Sequence, residues 1–167
     1  VDALLASWGA SSGVDAVPSG LYKFPRTRHV LNTGGTAVTR DDLVMESDLA
    51  SRFFDGRTII VADEKVDGSN LGLSLTKEYE IRCQNRSHYI SSGDHAQYRP
   101  LFHTWLAEPA PRAALEALLP PGGDVILFGE WLLARHSVPY LALPDHFVAF
   151  DVYDRRTEKF WSRPRFH

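Results

Sequence analysis

Apolar and polar residues alternate most cleanly at Leu71, Leu73 and Leu75, which are separated by Gly72 and Ser74 and followed by Thr76. That period of two predicts a half-buried strand. Tyr79 to Gln84 follows as its antiparallel partner, with a turn near Lys77-Glu78. Two strongly apolar runs, Asp124 to Leu133 and His146 to Tyr153, predict further strands, and Phe160-Trp161 suggests one more. Upstream, Arg57 to Glu64 carries Ile59, Ile60 and Val61 and also reads as a strand. Helical spacing at Tyr98, Leu101, Phe102 and Trp105 predicts a helix over 95–106, broken by Pro109 and Pro111. Arg112 to Leu119 predicts a second helical turn or two, ended by Pro120-Pro121-Gly122-Gly123. An earlier helix is expected to start at Thr39-Arg40-Asp41-Asp42, where acidic residues suit the helix dipole, and to run toward Phe54 before Asp55-Gly56. Strands outnumber helices and several pair through short turns. The expected fold class is therefore α+β, a mainly antiparallel sheet with flanking helices.

A chain of 167 residues suits one domain with a real core. Residues 1–20 read as a flexible lead-in, with Gly9 to Gly20 rich in small residues, and 21–167 as the domain. Asn32 to Thr36 reads as another Gly-rich loop. Nothing approaches the roughly 20 apolar residues that cross a bilayer, and no signal-peptide pattern opens the chain. The lone Cys83 excludes an internal disulfide and suits a reducing compartment, so an intracellular, cytoplasmic or nuclear location is expected. Met45 is the sole methionine, so Val1 is not an initiator and a fragment or processed product is expected. A net charge of -3 argues against the broad basic surface of a non-specific DNA binder. The end of the chain is different: Arg155, Arg156, Lys159, Arg163 and Arg165 outnumber Asp154 and Glu158. That stretch suits phosphates or simply a solvated face.

The chemistry concentrates at Glu64-Lys65-Val66-Asp67-Gly68-Ser69-Asn70. The pattern K-x-D-G-x-N arises by chance in such a chain roughly once in a thousand. In an extended segment Lys65 and Asp67 share a face, and Gly68 permits a sharp turn and close approach of a ligand to the backbone. An ordinary lysine titrates near ~10.4, so a nucleophilic one needs burial, a neighbouring cation or a metal-bound substrate to free its amine. A carboxylate at Asp67 favours the ammonium form. Asp67 is therefore expected to serve the ligand or the turn, while the activating charge comes from a divalent metal on the bound substrate, with help from Arg86. The plain alternative is an Asp-Gly hairpin turn with a surface lysine beside it.

Further along, Asn85-Arg86-Ser87, Leu127-Phe128-Gly129-Glu130-Trp131 and Phe147 to Asp154 follow in order. With the lysine segment they resemble the motif series of the covalent nucleotidyltransferases: RNA ligases, DNA ligases and mRNA capping enzymes. Asn70, where DNA ligases usually carry arginine, favours the RNA-ligase branch. So do Ala134-Arg135-His136-Ser137-Val138-Pro139-Tyr140 and Leu143-Pro144-Asp145-His146-Phe147. The resemblance covers roughly residues 22–161 and implies an ATP-grasp-like nucleotidyltransferase domain. It implies ATP and Mg2+ as cofactors and a lysyl-AMP at Lys65, with RNA 5′-phosphate and 3′-hydroxyl ends as partners. Glu130 would bind the ribose, Phe150 would stack on adenine, Arg86 would meet phosphate or ribose, and Glu64, Asp67, Gly68 and Asn70 would line the pocket. The two later motifs of the family, an E-G strand and a K-x-K pair, do not occur by residue 167, so the domain is expected to be incomplete or catalytically lost. A non-catalytic nucleotide or RNA-end binder, a DNA ligase and a capping enzyme stay open as alternatives.

Each residue also has a plainer reading. Phe150 fits a strand core and Arg86 a surface position, whereas a carboxylate such as Glu130 inside an apolar run is costly unless partnered. Leu101, Phe102 and Trp105 read as helix core, His136 as structural and Cys83 as buried and inert. The seven histidines have no metal-ligand spacing, so the metal ligands are unknown.

Overall fold

A computed structural model describes residues 20–34, 38 and 42–167. They divide into two compact units, one of Phe24–Lys65 and one of Val66–His167 joined by the described end of Val17–Lys23. The lead-in expected over 1–20 therefore lies outside the described residues except for Gly20, as do 39–41 of the expected early helix and 35–36 of the expected loop.

The second unit holds one six-stranded, fully antiparallel sheet. Its strands are β1 (Ser69–Leu75), β2 (Ile81–Gln84), β3 (Tyr89–Ile90), β4 (Val125–Trp131), β5 (Phe147–Asp154) and β6 (Lys159–Phe160), in spatial order β3-β2-β1-β4-β5-β6. The α+β expectation holds in this form. β1 and β2 are joined by the turn expected at Lys77-Glu78, where Tyr79 takes a left-handed φ of 62°. β3 follows from a hairpin whose Asn85 side chain accepts from the backbone N–H groups of Ser87 and His88 at 2.8 and 2.9 Å.

The side-chain period of two gives the sheet two different faces. Leu71, Leu73 and Leu75 of β1, Cys83 of β2, Leu127 and Trp131 of β4 and Val152 of β5 form the buried core face. Tyr98, Leu101, Leu115 and Leu119 cover it from the intervening segments. Those segments differ from the expected helices. The segment expected as a helix over 95–106 is helical from 96 to 105, but as a 3₁₀ turn at Ala96–Tyr98 that runs through Arg99 and Pro100 into a π-helical turn at Leu101–Trp105. Pro100 stands at the entry to the π-helical turn with helical backbone angles, φ -65° and ψ -29°, where its missing N–H costs little. The next helix runs from Pro109 to Leu118, so the prolines open it rather than break it; proline is well tolerated in a first helical turn.

The opposite face carries Gly72, Gln84 and Phe128 at paired positions. The segment from Gly20 to Lys23 lies on it. Tyr22 stacks on Tyr153 with ring centroids 3.7 Å apart, Gln84 Nε2 donates to the Tyr22 carbonyl at 2.7 Å, and Tyr89 donates to the Gly20 carbonyl at 2.8 Å. Burial holds the Tyr22 hydroxyl well above the usual phenol range, helped by Tyr153.

In the first unit, helix α1 spans only Ser47–Ser51 and runs on as a 3₁₀ turn through Phe54. The early helix thus begins later than expected, because His29 and Val44 bridge as extended chain ahead of it. Gly56, at φ +69°, ends the turn where a stop was expected. Residues 57–64 do not form the expected strand. Ile59, Ile60 and Val61 are 90%, 50% and 59% exposed, and no β-partner meets them among the described residues. Apolar, β-branched composition favours a strand only where another strand completes the ladder. In the second unit, helix α2 spans Pro109–Leu118 and helix α3 the four residues Arg163–Phe166.

Candidate functional site

The start of β1 and the end of β4 meet in register: Asn70 faces Glu130, and Ser69 faces Trp131. Gly68, just before β1, donates its N–H to Glu130 Oε1 at 3.2 Å. A side chain at Gly68 would meet the Trp131 carbonyl oxygen at 2.5 Å, so the Asp67-Gly68 turn presses directly on β4. Glu130 is therefore partnered within its apolar run, which removes much of the cost of placing a carboxylate there. Asn70 is different. Its Oδ1 is buried with no hydrogen-bond partner, an arrangement that is rare and costly for a polar atom.

A loop after β4 closes over the same turn. Ser137 donates to Asp67 Oδ2 from its backbone N–H at 3.1 Å and also from its hydroxyl. Tyr140 accepts the Asp67 N–H at 2.6 Å through its hydroxyl oxygen. Ser69 Oγ lies 3.3 Å from His136 Nε2 and donates to Gln97 Oε1 at 3.2 Å. Asp67 thus braces the turn through Ser137. Ser137 and Tyr140 lie in the 134–140 segment that carries part of the resemblance but were given no role from the sequence, and Gln97 was not singled out. Their one visible signal was the polar run Arg135-His136-Ser137 leading to Pro139-Tyr140 after an apolar strand.

Phe150 occupies a break in the ladder. β5 pairs with β4 as Phe128↔Asp151 and then Gly129↔Ala149, so Phe150 is an extra residue, a β-bulge. A bulge breaks the alternation of side chains and re-aims the residue that carries it. Gly129 makes the crossing feasible: a side chain there would meet the Phe147 ring at 2.4 Å and the Val148 carbonyl oxygen at 2.6 Å. Val148 faces Glu130, which leaves Phe150 two residues along β5 from the carboxylate's own partner. Phe150 is half-buried rather than in the sheet core.

The remaining sequence-derived positions are not gathered by contacts. Arg86 is exposed in the β2–β3 hairpin, two residues past Gln84 and toward the end of the sheet where β1 starts. Glu64 and Lys65 are exposed and belong to the first unit, whose last residue is Lys65. Elsewhere, Cys83 is 2% exposed, and burial pushes its thiol up to about 12. No group of three or more His, Cys, Asp or Glu side chains converges among the described residues. No helix among them is long and apolar enough to cross a membrane.

Comparison with known protein families finds a match to the model described as RNA ligase over residues 58–167, more than half of the chain. Neither the curated proteins nor the solved structures return a match. The matched stretch takes in the Lys65 segment, the whole sheet and the loop that braces Asp67. This chain belongs to the RNA ligase family.

Proposed function

We propose that the chain provides the adenylyltransferase domain of an ATP-dependent RNA ligase, of ATP-grasp-like nucleotidyltransferase fold, spanning 21–167 with 1–20 as its lead-in. The observation that carries the reading is the buried, unpartnered Oδ1 of Asn70 facing Glu130. Two acceptors at one sheet end suit the hydroxyl donors of a ribose. A hydroxyl donated to Asn70 would relieve an unsatisfied group that costs about 1–3 kcal/mol. Phe150 offers adenine its π face, and Arg86 offers a planar fork to phosphate or ribose. Gly68 seats the turn tightly on β4, and the family resemblance assigns Glu64 and Asp67 to the nucleotide as well.

In this reading the Lys65 amine attacks the α-phosphorus of ATP. The P–N bond forms as the bridging α–β P–O bond breaks, pyrophosphate leaves and the amine loses a proton. An oxygen of an RNA 5′-phosphate then attacks the lysyl-AMP phosphorus, and the P–N bond breaks to release Lys65. A 3′-hydroxyl next attacks the activated 5′-phosphorus, displacing AMP and joining the ends. Mg2+ bound to the nucleotide phosphates supplies charge neutralisation during in-line displacement. With no cluster of three metal-type side chains among the described residues, no protein cage for it is assigned and no step depends on one. The bracing of Asp67 by Ser137 supports a structural task for that carboxylate, at the turn that follows the lysine.

The test is transfer of labelled AMP from ATP to a 5′-phosphorylated RNA strand, followed by sealing to a 3′-hydroxyl strand. The same assay with DNA strands, and with GTP in place of ATP, separates a DNA ligase and a capping activity. Reversible ATP binding with no covalent product in the longest native form of the protein contradicts the ligase reading and favours a binding module.

A further inference from the structure

We propose that Arg163 is a positioning residue that sets the direction of the Phe150 ring; the inference rests on the reading of Phe150 as the adenine platform. Phe150 is the extra residue of the β5 bulge, and a bulged residue loses its place in the ladder. Its carbonyl oxygen accepts instead from Arg163 Nη1 at 2.6 Å. A charged donor at that distance makes one of the stronger hydrogen bonds available to a backbone oxygen. The guanidinium is itself held from two other sides. Asp151 Oδ1 lies 4.0 Å from the same Nη1, and the Phe166 ring centroid lies 5.6 Å from Cζ. Pro164, the second residue of α3, restricts the backbone directly after Arg163.

The arrangement joins the bulge to α3 through one side chain. A bulge has more than one way to orient its backbone groups. The bond from Arg163 selects the one in which the Phe150 carbonyl points at α3, and the ring direction follows from the backbone. Arg163 is distinct from the neighbouring basic residues in this respect. Arg156 pairs with Asp154 at 3.3 Å, and Arg165 lies over the Trp161 ring at 3.9 Å.

The experiment is a double-mutant cycle on nucleotide affinity in the full chain, with ATP and inorganic tripolyphosphate as probes. Arg163→Met is expected to weaken ATP binding about tenfold, in line with loss of one charge-assisted hydrogen bond, and to leave tripolyphosphate binding unchanged. Phe150→Leu is expected to weaken ATP similarly, and adding Arg163→Met to it should cost less than about twofold more, because the two act as one unit. Arg163→Lys keeps a charged donor and should bind ATP within about threefold of the parent. Circular dichroism checks that each variant is folded, and the Lys variant carries the test if the Met variant is not. Arg163→Met with unchanged ATP affinity, beside a weakened Phe150→Leu, overturns the inference and leaves the adenine platform standing. Losses that multiply across the cycle, equal loss of tripolyphosphate, or a Lys variant as weak as Met, also overturn it. No effect of Phe150→Leu removes the platform, and the inference with it.

Discussion

Gly68 leaves no room for a side chain, because the first atom met is the Trp131 carbonyl oxygen at 2.5 Å. A backbone oxygen in a sheet cannot swing aside as a flexible side chain does, so Gly68→Ala is expected to lower stability by about 1–3 kcal/mol. At Gly93 the nearest atom to an added side chain is 4.0 Å away. Gly93→Ala should therefore stay within about 0.5 kcal/mol of the parent; urea unfolding of both variants checks the contrast. At this scale much of the candidate site was legible. Lys65, Asp67, Gly68, Asn70 and Glu130 stand out because unusual residue types sit in a tight spacing or inside an apolar run. Ser137, Tyr140 and Arg163 do not, since their contacts join residues 70, 73 and 13 positions apart. A serine and a tyrosine in a loop, and an arginine that opens a four-residue helix, carry no local mark of such partners.

At the scale of elements, the strands that alternate or run apolar were readable to within a few residues, because their pattern and their burial have the same cause. β3 was missed: two residues are too short to show a period. The Ile59 strand failed for the opposite reason, a local pattern that tertiary contacts did not complete, while the early helix ended where expected but began late. The β5–β6 turn shows how one element end is fixed. Buried Asp154 accepts from the Arg156 N–H at 2.9 Å and pairs with its guanidinium. The Arg156 side chain, with help from the backbone N–H, holds the carboxyl below the usual carboxylate range. The sign follows: the unfolded chain takes up the proton near pH ~3.9 and the folded chain only at lower pH. This contribution to stability is present above pH ~3.9 and is lost as pH falls through the lower folded value. Asp154→Asn is expected to flatten the acid limb of stability against pH; a limb as steep as the parent's rules this role out.

For the whole molecule, one antiparallel sheet is packed on its core face by short helical segments and on its other face by Tyr22 and its neighbours. Stability is concentrated there. Leu73→Ala, at a fully buried position in β1, should cost about 2–5 kcal/mol. Ile60→Lys, at an exposed position in the other unit, should change the stability of the sheet unit by less than about 0.5 kcal/mol. Hydrogen exchange on the β1 and β4 amides separates the two cases. The sheet also explains why the family motifs lie so far apart in the chain: β1 and β4 are neighbours, so Asn70 and Glu130 face each other across 60 residues. The central claim is that the lysine two residues before Asp67 carries the nucleotide. Incubation with ATP and Mg2+, then peptide mapping by mass spectrometry, tests it most directly in the longest native form of the protein. The account predicts an acid-labile AMP adduct on Lys65 that is absent from Lys65→Ala; an adduct on another residue, or none at all, would contradict it.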